Sequence, residues 1–246
     1  GQSTETASGQ VKVLTPEAGT QTTTSSSGLI ELATGASTVG SASGLLNFVT
    51  GSSGAGSSGY INMQTGSATG GAGGTISVVA GLSTSAAGAT IEVTAGKSSA
   101  TNGNGGAVQI DGGDALAAPD SGLGGKVVIT GGTSTTKNGG TISVLSGTGT
   151  VTSSGEIRVK TADGGSGTGR SGWIAMNTGT GKSTTSGSVS VITGNTQTSG
   201  ESGSIVVKTG SSAATAATGS MTFTTGTATG GAGGAVTMTV GSGNTG

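Results

Sequence analysis

One short alternation of apolar and other positions recurs along this chain of 246 residues. It runs glycine, any residue, aliphatic, any residue, aliphatic, any residue, small residue, glycine, as in GTISVVAG at 74–81 and GSIVVKTG at 203–210. We call each copy a phrase and number its positions 1 to 8, with a small residue replacing glycine in some copies. The commonest spacing is 15 residues, and the fifteen phrases open at 9, 28, 44, 59, 74, 89, 106, 125, 140, 155, 172, 187, 203, 219 and 234.

Positions 3 and 5 of the phrase carry most of its large side chains. Their period of two predicts a β-strand, and the β-branched residues that dominate both positions fit a pleated, half-buried surface. Position 7 is small and often hydroxylic, as in Thr50 and Thr65. We therefore expect positions 3, 5 and 7 to face inward and positions 2, 4 and 6 to face outward.

The tandem repeat predicts an all-β fold, because each short unit can bury its apolar side only against its neighbours. The expected architecture is a single domain over 1–246, a parallel β-solenoid of about 15 coils spaced about 4.8 Å apart. Each glycine-rich connecting segment is expected to add a second short strand, and 115–120, with Pro119, to form an inserted loop. One stacked inward column should contain Ile76, Ile91, Val108, Val127 and Ile142.

Composition narrows the alternatives. The 55 glycines disfavour a helix, in which each interior glycine costs about 1 kcal/mol, and they do not recur at every third position as polyproline II bundles require. The net charge is −1 and the basic residues are scattered, so we expect no nucleic-acid partner. No apolar run reaches membrane-spanning length, so we expect no membrane insertion. Because the first methionine is Met63, the chain is expected to be processed or part of a longer protein.

Two glycine-rich motifs resemble phosphate-binding loops and fail the context that such loops need. GTGRSG at 167–172 precedes a predicted strand, whereas a dinucleotide fingerprint follows a strand and opens a helix. GTGKST at 179–184 lacks the first glycine of a P-loop, since Met176 occupies that position. Both are interpreted as turns, and no cofactor is expected.

Acidic residues do not recur as a metal or catalytic site would require. Calcium-binding β-roll repeats carry an aspartate in nearly every turn, whereas here they are limited to Asp111, Asp114, Asp120 and Asp163. A single adventitious cation near Asp111 and Asp114 stays open as an alternative. The chain has no histidine and no cysteine, which removes most nucleophile–base pairs. We predict no enzyme activity and no resident metal.

The outward positions of the first five phrases contain a group of large apolar side chains. A contiguous apolar patch often marks contact with another chain, so this group is a candidate lateral interface, unless an insertion or neighbouring loop covers it. The terminal phrases lack polar caps and are expected to stack on further protein. The lateral candidates are Leu14, Leu29, Leu45, Val49, Tyr60 and Val79, and the end-stacking candidates are Val11, Val13, Val236 and Met238.

In period and composition the chain resembles the Gly/Ser/Thr-rich β-solenoids of extracellular fibres, surface appendages and adhesins. The resemblance implies a structural component of an extracellular filament or cell-surface appendage, with copies of the chain as its partners, joined head to tail or side by side. The alternative is a surface-binding solenoid, either an adhesin shaft or an ice-binding protein. Ice binding needs a flat hydroxyl array, and outward threonines pair within one strand only at Thr222/Thr224 and Thr237/Thr239.

Overall fold

A computed structural model describes residues 11–17, 26–38, 40, 42–116, 122–183, 185–197, 199–213 and 215–243. The chain divides into two units, Gly1–Val128 and Ile129–Gly246. The described residues form no α-helix and no β-strand, and none of them is buried. The predicted all-β solenoid of 15 coils is therefore wrong for this chain.

The phrases are nonetheless locally extended, as side-chain exposure shows. In phrase 4, Tyr60 is 88% exposed and the next residue, Ile61, is 57% exposed; in phrase 11 the values for Trp173 and Ile174 are 89% and 54%. Residues two apart also meet on one face: Glu156 accepts hydrogen bonds from Arg158 at 3.1 and 3.2 Å. Such contacts require a backbone whose side chains alternate between two faces.

Within the described residues, connecting segments bend the chain at several places and none of them forms a second strand. The backbone bends at 54–56, 84–86 and 135–137, which are positions 11 to 13 counted from the opening of phrases 3, 5 and 8. The serine at position 10 stabilises each of these bends by accepting a hydrogen bond, 3.0 Å long in all three, from the N–H three residues later. The three pairs are Ser53 with Gly56, Ser83 with Ala86, and Ser134 with Lys137. The predicted second strand is wrong here, because local serine-to-backbone bonds favour turns.

The bend brings the end of one phrase back to the start of the next. In the first unit, a β-carbon on Gly28 would lie 3.2 Å from Thr15 Cγ2, and Thr34 Oγ1 lies 3.1 Å from the Gly44 carbonyl oxygen. In the second unit, the N–H of Gly140 donates to the carbonyl of Gly132 at 2.8 Å. We call this meeting of position 7 or 8 with position 1 of the next phrase a closure.

The closure explains why no coil forms. Six residue steps of an extended phrase separate positions 1 and 7 by about 20 Å. A solenoid would stack position 1 of the next phrase about 4.8 Å from its counterpart, and therefore far from position 7. In the structure the 3.1 Å contact between Thr34 and Gly44 joins those two positions directly. The chain reverses after the phrase, and equivalent positions cannot stack.

Because the chain reverses, the expected inward column does not form. The five residues assigned to it are 51 to 53% exposed, so they lie on the more sheltered face of their phrases without forming a core. The described backbone–backbone hydrogen bonds lie within a connecting segment or join the last position of one phrase to the first of the next, and none of them pairs positions 2 to 7 of neighbouring phrases. The five residues are Ile76, Ile91, Val108, Val127 and Ile142. Of the segment expected to form an inserted loop, 117–120 lies outside the described residues.

Candidate self-association surface

The side chains at positions 3 and 5 form an apolar face on every phrase. This face stays exposed within the unit to which the phrase belongs. From phrase 2 to phrase 13 the residue at position 3 is 49 to 57% exposed, as at Ile30 and Ile205. From phrase 2 to phrase 14 the residue at position 5 is 62 to 73% exposed, as at Phe48 and Val159. The regular placement of these side chains makes the same surface available many times along one chain.

One open groove shows how two phrases meet within the first unit. It has a volume of about 380 Å³ and is lined by Phe48 of phrase 3 and by Ile61, Asn62 and Met63 of phrase 4. The closure between Thr50 and Gly59 aligns position 7 with position 1, and continuing that alignment in opposite directions sets Phe48 beside Ile61. The groove is therefore an apolar hollow between two chain-reversed phrases.

The predicted lateral interface residues lie on the outward face of these reversed phrases. We call this group of six the N-terminal apolar patch. Leu14 and Leu29 flank the closure between Thr15 and Gly28, where the β-carbon position of Gly28 is 3.2 Å from the threonine. The patch consists of Leu14, Leu29, Leu45, Val49, Tyr60 and Val79, which are 67 to 88% exposed. Its role as an interface stays a prediction.

Three other residues of the patch also lie beside closures. Val49 and Tyr60 flank the closure in which Thr50 Oγ1 lies 3.2 Å from the Gly59 carbonyl oxygen. Leu45 directly follows Gly44, the partner of Thr34 in the preceding closure. At the threonine closures of the patch, position 7 meets position 1 and both are odd, so outward even positions stay on one side from phrase to phrase. The patch ends at Val79, because the outward positions of phrase 6 are Thr90, Glu92 and Thr94.

Two opposite charges lie within the patch. Lys12 and Glu31 occupy position 4 of phrases 1 and 2, and both are exposed. Phrases 6 and 7, which follow the patch, carry mainly polar residues on the same face, such as Gln109 Nε2 donating to Asp111 Oδ2 at 2.6 Å. The outward face therefore changes along the first unit from apolar with two charges to mainly polar.

The residues predicted to stack at the two ends are all exposed. In phrase 1, Val11 is 91% and Val13 72% exposed; in phrase 15, Val236 is 61% and Met238 94% exposed. Without coils these side chains are not the faces of terminal rungs, so the structural basis first given for end-stacking is absent. Whether they contact another chain stays a prediction.

The remaining chemical candidates are not assembled into a site. GTGRSG lies in the connecting segment before phrase 11, and the chain bends there at 166–168. Asp163 lies 3.7 Å from Lys160 Nζ in an exposed ion pair, and Asp111 accepts a hydrogen bond from Gln109. Within the described ranges no three metal-ligating side chains gather, and no helix is long and apolar enough to cross a membrane. Asp120 and Thr184 lie outside the described residues.

The closure and the serine-stabilised bend are the features that the pattern of large side chains did not reveal. The signal was nevertheless present, because serine recurs at position 10 as Ser53, Ser83 and Ser134, and threonine recurs at position 7. Serine is a common turn residue because its hydroxyl bonds nearby backbone groups. No protein-family model, characterised protein or solved structure matches this chain.

Proposed function

We propose that this chain is a structural component of an extracellular filament or surface appendage, and that copies of it assemble through their phrases. The observation that carries the proposal is the repeated open apolar face, on which position 3 stays 49 to 57% exposed over twelve consecutive phrases. Soluble proteins that act alone rarely leave extended apolar surface in water. The proposal assigns that surface to contacts between copies.

The backbone supports the same assignment. The phrases are extended, and the described backbone–backbone hydrogen bonds lie in a connecting segment or at the ends of consecutive phrases, so they leave positions 2 to 7 of the phrases without backbone partners. Extended segments with open N–H and C=O groups are templates for pairing with another chain. Each phrase has strong β-propensity at positions 3 and 5, as in TISVV at 75–79, and the whole chain has only 8% charged residues. Low charge and β-branched segments favour association of copies.

The regular 15-residue spacing sets the register of such an assembly. Two copies aligned at one phrase are aligned at the neighbouring phrases of equal spacing, so many weak contacts form together. Burial of one aliphatic side chain stabilises by about 1.5 to 3 kcal/mol when complete, and part of that remains available at each half-exposed position. The extracellular location rests on the compositional resemblance to fibre and appendage proteins. The surface-binding alternative gains no specific observation that favours it.

Sedimentation of the full chain tests the proposal. Over a concentration series, we expect the chain to shift from small species to large assemblies, and electron microscopy of those assemblies to show filaments. A chain that stays monomeric up to millimolar concentration would contradict self-assembly. Location is tested separately: protease applied to intact source cells should release peptides of this chain without releasing cytoplasmic markers. Peptides that appear only after lysis would contradict the extracellular assignment.

A further inference from the structure

We propose that the N-terminal apolar patch is the contact through which two copies of this chain first pair, related by a two-fold axis. This inference rests on the proposed self-assembly and specifies one surface for it. The general apolar face is repeated in all phrases, whereas the patch is confined to phrases 1 to 5 and lies on their outward side. Those phrases therefore carry large apolar side chains on both faces.

Pairing at closures separates the patch from the single outward apolar residues of later phrases, which are Val128, Leu145, Trp173, Ile192 and Val206, 66 to 89% exposed. Four of its members flank two closures in pairs, Leu14 with Leu29 beside the Thr15–Gly28 contact and Val49 with Tyr60 beside the Thr50–Gly59 bond. Leu116 and Leu123, which are 89 and 97% exposed, lie in a connecting segment away from any phrase. The patch is a grouped surface, and the two connecting-segment leucines are not part of it.

The size of the patch matches what a pair of copies needs. Six large apolar side chains that are 67 to 88% exposed present on the order of 800 Å² per chain, which is the area each partner contributes to a standard protein–protein interface. Tyr60 supplies a large aromatic ring with a polar tip, the kind of residue that dominates interface energetics. A two-fold pair uses the same area twice, because its contact surface is shared by both copies.

The charges on the patch favour a second copy as the occupant. Lys12 and Glu31 occupy the same position of adjacent phrases, and they carry opposite charges. A two-fold axis between them places Lys12 of one copy against Glu31 of the other, and the reverse, so both pairs attract. A patch that is neutral overall and complementary to itself is suited to isologous contact. An acidic or a basic partner would satisfy one of these charges and repel the other.

Charge reversal in the full chain tests this pairing. The variants Lys12→Glu and Glu31→Lys each place like charges opposite one another in a two-fold pair. Two exposed pairs of this kind change the association constant on the order of tenfold, most clearly at about 0.01 M salt, where screening is weak. We expect each variant alone to need roughly ten times the concentration for half-assembly in sedimentation. An equal mixture of both variants should recover the behaviour of the unaltered chain, since every contact between unlike copies is again attractive.

A second variant pair tests the apolar part of the surface. Leu29→Ser with Leu45→Ser removes two leucines from the patch, and Leu116→Ser with Leu123→Ser removes two equally exposed leucines outside it. We expect the first pair to raise the half-assembly concentration at least tenfold and the second pair to leave it within twofold. Both double variants replace two leucines with two serines, so a general effect of lower hydrophobicity on solubility would be the same in both chains.

Three results separate this inference from the proposed function. If the unaltered chain assembles and the single reversals do not weaken it, or their mixture does not recover, the two-fold patch contact is wrong and self-assembly stands. If both leucine pairs act equally, the patch has no special role. If the unaltered chain never assembles, the proposed function fails together with this contact.

Discussion

Thr50 donates its hydroxyl hydrogen to the carbonyl oxygen of Gly59, 3.2 Å away and nine residues later in the chain. Thr34 makes the same bond to Gly44 at 3.1 Å. At four closures whose position 7 is alanine, glycine or serine, the backbone is used instead: the N–H of the opening glycine donates to the carbonyl at position 8. Those bonds are 2.7 to 2.9 Å long and join Gly106 to Gly96, Gly125 to Gly113, Gly140 to Gly132, and Gly155 to Gly147.

In these six closures the backbone bond forms only where the side chain at position 7 is unbranched at Cβ, whereas Thr34 and Thr50 use their hydroxyls. Thr50 is branched at Cβ, and its Cβ and Cγ2 lie 3.4 and 3.5 Å from the β-carbon position of Gly59. That bulk keeps the two backbone segments apart, and the hydroxyl spans the gap. Gly131 has no side chain, so the backbones approach until the N–H of Gly140 meets the Gly132 carbonyl.

Removing the branched side chain should switch one closure to the other type. We expect Thr50→Ala to create a backbone hydrogen bond from the N–H of Gly59 to the carbonyl of Gly51. An exposed hydrogen bond of this kind contributes about 0.5 to 1.5 kcal/mol, so amide exchange at Gly59 should slow by roughly two- to tenfold. Hydrogen exchange followed by nuclear magnetic resonance measures this directly.

Thr50→Val is the matched control for that switch. Valine keeps the branched shape and removes the hydroxyl, so we expect neither closure bond and no slowing at Gly59. If valine and alanine slow exchange equally, bulk at position 7 does not decide the closure chemistry.

Gly131 should be irreplaceable in its own closure, although alanine and serine occupy position 7 of two other backbone closures, at Ala95 and Ser146. A β-carbon on Gly131 would collide with the carbonyl oxygen of Gly140, whereas one on Gly132 would meet nothing within 4 Å. We expect Gly131→Ala to open the closure and speed amide exchange at Gly140 by roughly two- to tenfold, the loss of one exposed hydrogen bond. Gly132→Ala makes the same chemical change one residue away and should leave that amide unaltered. Equal exchange in both variants would show that the close approach is absent in solution.

The two kinds of closure separate the features that the sequence predicted from those that it did not predict. Alternation at positions 3 and 5 predicted locally extended phrases with two faces, and Tyr60 beside Ile61 has that alternating exposure. The pairing between phrases was not predictable from large side chains, because a solenoid and a reversing chain place the same residues on the same face of each phrase. What decides between them is the small-residue chemistry of Ser53 and Thr50, which bends and closes the connection. The N-terminal apolar patch was predicted from its outward positions, but its grouping at the closures required the structure.

The serine at position 10 should stabilise its bend measurably. Ser134 Oγ accepts a hydrogen bond from the N–H of Lys137 at 3.0 Å. Ser134→Ala removes the acceptor, and we expect exchange of the Lys137 amide to rise about two- to fivefold, since the bond is exposed and contributes about 0.5 to 1 kcal/mol. Ser134→Asp supplies another oxygen acceptor and should retain most of the protection, because aspartate forms the same kind of turn bond. If the Lys137 amide exchanges at the same rate in all three chains, this hydrogen bond does not stabilise the bend.

A charge on the open apolar face should act on assembly and leave the single chain largely unchanged. The sequence predicts a buried Ile142, for which aspartate would be severely destabilising; the structure leaves this side chain 52% exposed. We therefore expect Ile142→Asp to alter the stability of the isolated chain by no more than about 0.5 kcal/mol, as is usual at exposed positions. In an assembly, the same carboxylate would be buried between copies without a partner, so the half-assembly concentration should rise at least tenfold.

Ser143→Asp is the matched control for Ile142→Asp, because it places an identical charge on the opposite face of the same phrase. Both variants change the net charge of the chain from −1 to about −2 by adding one carboxylate. If the two variants sediment differently, the cause is therefore the face that carries the carboxylate and not the change in net charge. We expect Ser143→Asp to assemble within about threefold of the unaltered chain, since a solvated carboxylate there stays in water. If the two aspartates weaken assembly equally, repulsion between copies explains the loss, and positions 3 and 5 are not the contact that holds the copies together.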